Sequence, residues 1–233
     1  MARIETLADG VTLLLGDCMD ILPGLPKHDA LVTDPPYGIN YQSSLTGLGA
    51  QKFDKIIGDI AEIDLSLILN LQIPILVFGA NNFPAQLPQR GRWLCWDKRT
   101  IDGASDAMLG SPFELAWSNK KSGYDKIVRI LHGGVVNADG KGLRVHPTQK
   151  PVGLMKACIE WVANDAKTIM DPFMGSGTTG VAAVQMGRKF TGIEISERYF
   201  DISCKRVEQA LAQPDMFINA PVSAPAQGFL EDL

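Results

Sequence analysis

Long apolar runs are missing from this 233-residue sequence, and so are clustered cysteines and histidines. No stretch approaches the roughly 20 apolar residues that a membrane-spanning helix needs, and Met1 to Glu5 lack the apolar core of a signal peptide. The four cysteines and three histidines stand singly, without the short spacings of a metal site or a disulfide framework. We therefore expect a cytoplasmic protein with no metal and no membrane partner.

An excess of positive charge is also lacking, since the net charge at pH 7 is −4. The charge is unevenly distributed, however: residues 86–156 contain twelve Lys and Arg against six Asp and Glu, and the rest of the chain is acidic. One basic stretch is enough to meet phosphate, because the local potential decides. The charge map permits a nucleic-acid partner, while an ordinary solvated basic surface is the alternative.

Apolar runs alternate with helical patterns along the chain, which predicts a doubly wound α/β fold. We expect strands at 11–15, 30–33, 73–78, 167–171 and 190–195, helices at 63–71, 152–163, 178–187 and 197–211, and an antiparallel flank at 92–96 and 113–117. The length suits one domain, 1–233. Residues 39–58, rich in Gly, Ser, Gln and Asn, predict a mobile lid loop, and 213–233 a loosely packed tail.

Two short motifs directly follow predicted strands. The first is Asp34-Pro35-Pro36-Tyr37-Gly38, and the second is Asp171-Pro172-Phe173-Met174-Gly175-Ser176-Gly177-Thr178-Thr179. Open parallel sheets bind ligands at the carboxyl ends of their strands. The sequence therefore predicts a pocket for a planar, amino-bearing base beside a pocket for a nucleoside cofactor.

The glycine turn of the second motif lets the backbone approach a ligand, and the helix after it directs amides toward that ligand. It lacks the lysine of a nucleotide-triphosphate loop. Glu194, at the end of the next strand, suits ribose hydroxyls, so any adenosine-bearing cofactor fits. Asp171 favours the cationic S-adenosylmethionine, because a carboxylate there would repel a pyrophosphate. Asp17 offers an acceptor for an adenine amino group, or alternatively caps a short helix.

The first motif suits methyl transfer to an exocyclic amino group. The lone pair of that nitrogen is delocalised into the ring, and acceptors on both amino protons would expose it. Asp34 supplies one acceptor and the Pro35 carbonyl the other, while the two prolines bring no competing amide proton. Tyr37 can stack on a base turned out of the duplex. A rigid turn without chemistry is the alternative.

On these residues the chain resembles the DNA amino-methyltransferases of the permuted beta class, in which the Asp-Pro-Pro-Tyr motif precedes the glycine motif. The resemblance covers residues 11–210, including Gly16-Asp17 and segments 78–82, 96–98, 146–151 and 192–195. It implies a Rossmann-like, mostly parallel class I methyltransferase sheet with a short target-recognition insertion at 120–145. The implied activity is site-specific methylation of adenine N6 in double-stranded DNA, of the restriction-modification kind, with S-adenosylmethionine as donor. A homodimer is left open.

The predicted site has three parts and no metal. The catalytic residues are Asp34, Pro35, Pro36 and Tyr37. The residues predicted to bind the cofactor are Asp17, Cys18, Asp34, Lys150, Asp171, Pro172, Phe173, Gly175, Ser176, Gly177, Thr178, Thr179, Glu194 and Ile195. The residues predicted to bind DNA are Lys52, Lys98, Arg99, Lys120, Lys121, Lys126, Arg129, Lys141, Arg144 and His146.

Other activities are excluded or left open by the same residues. Cytosine-C5 methylation needs a cysteine after a proline, and no cysteine here follows one. Glutamine methylation uses a motif that begins with Asn and stands in the reverse order. Cytosine-N4 methylation stays open, although enzymes of that kind more often carry Ser in place of Asp34. RNA adenine methylation and a non-catalytic DNA-binding subunit of the same fold also stay open.

Overall fold

A computed structural model describes residues 3–40, 57–59, 63–99, 111–130, 145–146 and 148–213. The strands in this part of the chain are β1 (Arg3–Ala8), β2 (Val11–Leu15), β3 (Ala30–Thr33), β4 (Ile75–Phe78), β5 (Arg92–Asp97), β6 (Phe113–Ser118), β7 (Lys126–Arg129), β8 (Thr168–Asp171) and β9 (Lys189–Glu194). The helices are α1 (Cys18–Ile21), α2 (Ser66–Leu69), α3 (Val152–Ala163), α4 (Thr178–Gln185) and α5 (Glu197–Ala212).

All these strands form one mixed sheet in the order β1-β2-β9-β8-β3-β4-β6-β5-β7. The five central strands, from β2 to β4, are parallel, so their carboxyl ends meet at one edge. On one side, β1 pairs antiparallel with β2. On the other, β6 runs antiparallel to both β4 and β5, and β7 is parallel to β5. We call the edge where β2, β3, β4, β8 and β9 end the catalytic edge.

Helices cover both faces of the sheet. The larger core lies on the face covered by α3, α4 and α5, where Leu154, Ile159 and Phe200 are fully buried against strand residues such as Val32 and Leu76. A smaller core on the other face joins α2 to β3 and β4, and α1 packs nearby on β9. The central strands are buried on both sides, which explains their continuous apolar sequences.

The predicted Rossmann-like α/β fold with an antiparallel flank is confirmed. From residue 152 onward, each predicted helix and strand lies within two residues of its observed bounds. Three details differ. The helix predicted at 63–71 is only the single turn α2, β1 was not predicted, and β7 occupies part of the predicted recognition insertion. The predicted lid and tail lie mostly outside the described residues.

Candidate active site

The fold brings the two motifs together at the catalytic edge. The first motif follows β3 and the second follows β8, and these two strands are direct neighbours in the sheet. The Thr33 hydroxyl, one residue before the first motif, donates a 2.7 Å hydrogen bond to Asp171 Oδ1 in the second. The predicted adjacency of a base pocket and a cofactor pocket therefore has a direct structural link.

Both carboxylate oxygens of Asp34 have partners. The Tyr37 hydroxyl donates to Oδ1 over 2.6 Å, and the Lys150 ammonium contacts Oδ2 over 2.6 Å. Burial raises the pKa of Asp34, while the Lys150 charge acts in the opposite direction. Lys150 is itself buried; burial works against its charge, but the Asp34 and Glu114 carboxylates raise its pKa well above the ordinary value. The Asp34 carboxylate is thus half-buried and paired on both oxygens.

The Tyr37 ring lies against Gly79, the residue that follows β4. Gly79 has φ +64°, and a Cβ on it would overlap the Tyr37 ring. Phe83 meets the ring edge-on, with 6.5 Å between centroids. The missing side chain of Gly79 therefore leaves room for the tyrosine ring, and stacking of the ring on a flipped base stays a prediction.

Lys150 contacts the catalytic part of the site. Besides Asp34, its ammonium lies 3.1 Å from Glu114 Oε2 and 5.2 Å from the centroid of the Phe78 ring. Glu114 stands at the start of β6 and was not predicted as a site residue. Its one signal in the sequence is an acidic residue inside an otherwise apolar strand, Phe113–Ser118.

The glycine turn is held from α5 by a residue that the sequence analysis missed. Arg206 donates to the Ser176 carbonyl, to Ser176 Oγ at 2.8 Å and to Thr178 Oγ1 at 3.1 Å. Gly177, with φ +75°, caps α4, and a Cβ there would lie 2.8 Å from that of Ser203. The turn is therefore pre-formed, with its backbone fixed between α4 and α5.

Glu194 connects the glycine turn to β9. Its carboxylate accepts hydrogen bonds from the amides of Gly175 at 2.9 Å and Ser196 at 2.7 Å. Burial raises its pKa to about 7. Asp171 likewise accepts from the Phe173 amide at 3.0 Å, and burial raises its pKa to about 6. Both residues, which are predicted to bind the cofactor, therefore also hold the neighbouring loops through backbone amides.

Asp17 and Cys18 follow β2, the neighbour of β9. Asp17 caps α1, its Oδ1 accepting from the Met19 amide at 2.8 Å, as the structural alternative had it. Leu15, the last residue of β2, pairs with Glu194, so Asp17 also lies near the end of β9. Its adenine-binding role stays a prediction. Cys18 is buried, which raises its thiol pKa to about 12, whereas Ile195 is 45% exposed.

His146 lies behind the cofactor turn. Its ring meets that of Tyr199 edge-on, with 4.3 Å between centroids, and Nδ1 accepts from the Thr148 amide. A Cβ on Gly175 would lie 3.3 Å from His146 Nε2. His146 is only 9% exposed, so this interior position supports the turn and does not favour the predicted DNA contact.

The start of the predicted lid is anchored by Asp59, which is buried. Its Oδ1 accepts from the amides of Gly38 at 2.8 Å and Ile39 at 3.3 Å, and its carbonyl accepts from the Asn40 amide. Asn40 has φ +49°, a left-handed conformation that asparagine tolerates. The chain leaving the catalytic motif is therefore tied to the segment at 57–59.

The predicted DNA-binding residues do not share one surface. Lys98, Arg99 and Arg129 lie at the catalytic edge, where β5 and β7 end. Lys120 and Lys121 follow Ser118, which pairs with Leu76 near the start of β4, and so lie at the opposite edge. The remaining residues are Lys126, which begins β7, and Lys52, Lys141 and Arg144, which lie outside the described residues.

The cations at the catalytic edge differ in side-chain exposure and in ion pairing. Lys98 pairs with Glu114 at 2.6 Å, and Arg99 with Asp97 at 3.3 Å. The Arg129 side chain is 63% exposed and lies 3.6 Å from Asp97. At the other edge, Lys120 donates to the Trp161 carbonyl at the end of α3. Arg129 is thus the most accessible of these cations to DNA at the catalytic edge.

Metal and membrane features are absent from the described part of the chain. Its His, Cys, Asp and Glu side chains form no group that could hold a metal ion. None of its helices is both long and apolar enough to cross a membrane.

Comparisons with known proteins agree with this architecture. A family model described as DNA methylase, for N6 and N4 methyltransferases, matches residues 92–205. YubD of Escherichia coli (strain K12), named as a methylase, is 27% identical over 220 residues, covering 87% of this chain and 96% of YubD. The DNA adenine methyltransferase YhdJ of the same strain is 46% identical over 65 residues, which cover 28% of this chain and 22% of YhdJ.

Solved structures share the fold. The complex of M1.HpyAVI with SAM has a TM-score of 0.51 at 22% identity, covering 84% of this chain and 98% of that one. The cytosine-N4-specific PvuII DNA methyltransferase has a TM-score of 0.54 at 17% identity, covering 84% and 85%. The fold is that of the class I methyltransferases. In sequence the chain is similar to the N6-adenine and N4-cytosine DNA methyltransferases, whose family model matches residues 92–205.

Proposed function

We propose that this protein transfers the methyl group of S-adenosylmethionine to the exocyclic N6 of adenine in DNA. The observation that carries the proposal is the position of Asp34 directly after β3, beside the glycine turn that follows β8. A carboxylate that can accept an amino proton therefore lies next to a pre-formed nucleoside pocket. Neighbouring strand ends hold both parts, so the reactants would be oriented rather than merely bound.

The catalytic part acts on the amino group through its acceptors. Asp34 accepts one amino proton and the Pro35 carbonyl the other, which exposes the nitrogen lone pair. The side chain of Asp34 is already oriented by Tyr37 and Lys150, so little reorganisation accompanies binding of the base. Tyr37, whose ring occupies the space left by Gly79, closes one side of the base pocket.

The residues around the glycine turn fit S-adenosylmethionine. Glu194 ends β9 and Asp17 follows the neighbouring strand β2, and they offer carboxylate acceptors for ribose hydroxyls and an adenine amino group. Gly175 and Gly177 keep the backbone close to the pocket, and Arg206 holds the turn in place. When bound there, the cofactor supplies an activated methyl group on a sulfonium. The fold neighbour M1.HpyAVI was solved with SAM, which supports this choice.

Adenine is favoured over cytosine by the head of the catalytic motif and by one relative. Cytosine-N4 enzymes more often carry Ser where this chain carries Asp34. YhdJ, named as a DNA adenine methyltransferase, is 46% identical over its matched stretch. The PvuII enzyme, at 17% identity, resembles this chain in fold alone and does not favour a base.

The test is to identify the methylated nucleoside. Unmethylated double-stranded DNA is incubated with the protein and S-adenosylmethionine carrying a CD3 group, then digested and analysed by mass spectrometry. We expect deuterated N6-methyldeoxyadenosine. Deuterated N4-methyldeoxycytidine would refute the choice of adenine. A parallel incubation with RNA is analysed in the same way, and label in the RNA alone would refute DNA as the substrate. No label in any substrate, with binding of cofactor retained, would support a non-catalytic subunit.

A further inference from the structure

A row of alternating charges runs along the catalytic edge from Asp34. Asp34 Oδ2 and Glu114 Oε2 contact the same Lys150 ammonium, at 2.6 and 3.1 Å. Lys98 pairs with the other oxygen of Glu114 at 2.6 Å, and Tyr37 with the other oxygen of Asp34. Its residues lie directly after β3, just before α3, at the start of β6 and directly after β5.

Glu114 is unusual at its position. In register with it, Trp96 of β5 and Val128 of β7 are buried in the larger core. An apolar residue would serve this face of β6 without desolvating a charge, which is unfavourable unless the charge is paired. Lys150 and Lys98 outweigh that burial and lower the pKa of Glu114 to about 2. Glu114 is therefore a fixed negative charge across the working pH range.

We propose that Glu114 is a positioning residue for methyl transfer, acting on Asp34 through Lys150. The Lys150 ammonium is held between two carboxylates. It therefore stays in contact with Asp34, but it shares its charge with Glu114. Asp34 stays ionised, yet keeps acceptor strength for the amino protons of the base. This inference rests on the proposed function, because Asp34 needs acceptor strength only if the site methylates an amino group.

The charged groups around Asp34 give the proposal a signed test. Among the described residues, Asp34 faces Tyr37 from its own turn, Lys150 before α3, Glu114 of β6 and Asp171 of β8. The negative charge of Glu114 raises the pKa of Asp34, and the positive charge of Lys150 lowers it. Removing one or the other should therefore move the pKa of Asp34 in opposite directions.

The experiment measures single-turnover methyl transfer from pH 5 to 9. For Glu114→Gln we expect a plateau rate about ten-fold lower and an acid limb about 0.5 pH unit lower. For Lys150→Met we expect the acid limb to rise by about 1 unit or more. Affinity for S-adenosylmethionine should stay within about two-fold of wild type in Glu114→Gln. Glu160→Gln, an exposed change on α3, is the matched control and should leave both rate and limb unchanged.

Two further measurements keep the test decisive. Glu114→Asp retains the charge and should keep the acid limb of the wild type with an intermediate rate. If Glu114→Gln transfers no methyl group, the 13Cγ resonance of Asp34 in the cofactor-bound protein should still titrate at lower pH. An unmoved acid limb or Asp34 resonance overturns the positioning role while an active wild type upholds the proposed function. A wild type without methyl transfer overturns both.

Discussion

A single methyl group added at Gly177 tests whether the cofactor turn is pre-formed. At φ +75° an alanine costs about 1–2 kcal/mol through left-handed strain alone. The new Cβ would also lie 2.8 Å from Ser203 Cβ and 3.1 Å from Ser203 Cα. Ser203 is fully buried and its hydroxyl donates to the Phe200 carbonyl, so it has little room to move. Overpacking adds about 1–3 kcal/mol.

Gly187 provides a matched control at the other end of the same helix. It has φ +67°, just beyond the end of α4, but nothing lies within 4 Å of an added Cβ. Gly187→Ala should therefore cost the left-handed strain alone, about 1–2 kcal/mol. The difference between the two variants isolates the contact with α5.

Chemical denaturation and calorimetry measure the two consequences. Gly177→Ala should lower the free energy of unfolding by about 1–3 kcal/mol more than Gly187→Ala. It should also weaken S-adenosylmethionine binding about ten-fold, equivalent to about 1.4 kcal/mol, because the turn and its Arg206 contacts shift. Equal destabilisation by both alanines, with unchanged cofactor affinity, would refute a turn fixed by packing between α4 and α5.

Two other predictions concern Glu194 and the DNA surface. Burial raises the pKa of Glu194 from 4.5 to about 7. The folded state therefore binds this proton more tightly than the unfolded state does, and protonation of Glu194 stabilises the fold. The free energy of unfolding of the wild type should therefore fall as pH rises from about 4.5 to 7, and that of Glu194→Gln should fall less. Denaturation at a series of pH values measures both. Parallel curves of unfolding free energy against pH would contradict the raised pKa. Arg129→Ala, at the catalytic edge, should weaken DNA binding and reduce its salt slope by about one, whereas Lys121→Ala, at the opposite edge, should not. Fluorescence anisotropy at several salt concentrations measures both, and equal effects would argue against this location of the DNA surface.

The sequence predicted those parts of the structure that depend on local pattern. Asp34 and Asp171 each follow or end a short apolar strand, and that placement alone brings their motifs to one edge of a parallel sheet. The glycines of the turn at Gly177 predict the start of α4. The edge strands β1 and β7 were missed because their sequences, Arg3–Ala8 and Lys126–Arg129, mix charged with apolar residues without a clear buried face.

The rest depends on strand direction and on long-range contacts. Lys120 and Lys98 belong to one basic stretch in the sequence, but β6 runs across the sheet and carries Lys120 to the other edge. The contact between Lys150 and Asp34 joins residues 116 positions apart. Charge counts contain no information on either point, so the position of Glu114 beside the catalytic carboxylate emerges only from the folded chain.

The central proposal is that Asp34 activates the base, while the residues around the glycine turn provide most of the cofactor binding. The measurement that tests it most directly is methyl transfer by Asp34→Ala, with S-adenosylmethionine affinity determined on the same sample. We expect a rate at least about 100-fold lower, as when one stabilising group is removed from a transition state. Cofactor affinity should stay within a few-fold of wild type, and Asp165→Ala, an exposed change, should be fully active. Full methyl transfer by Asp34→Ala would contradict the account.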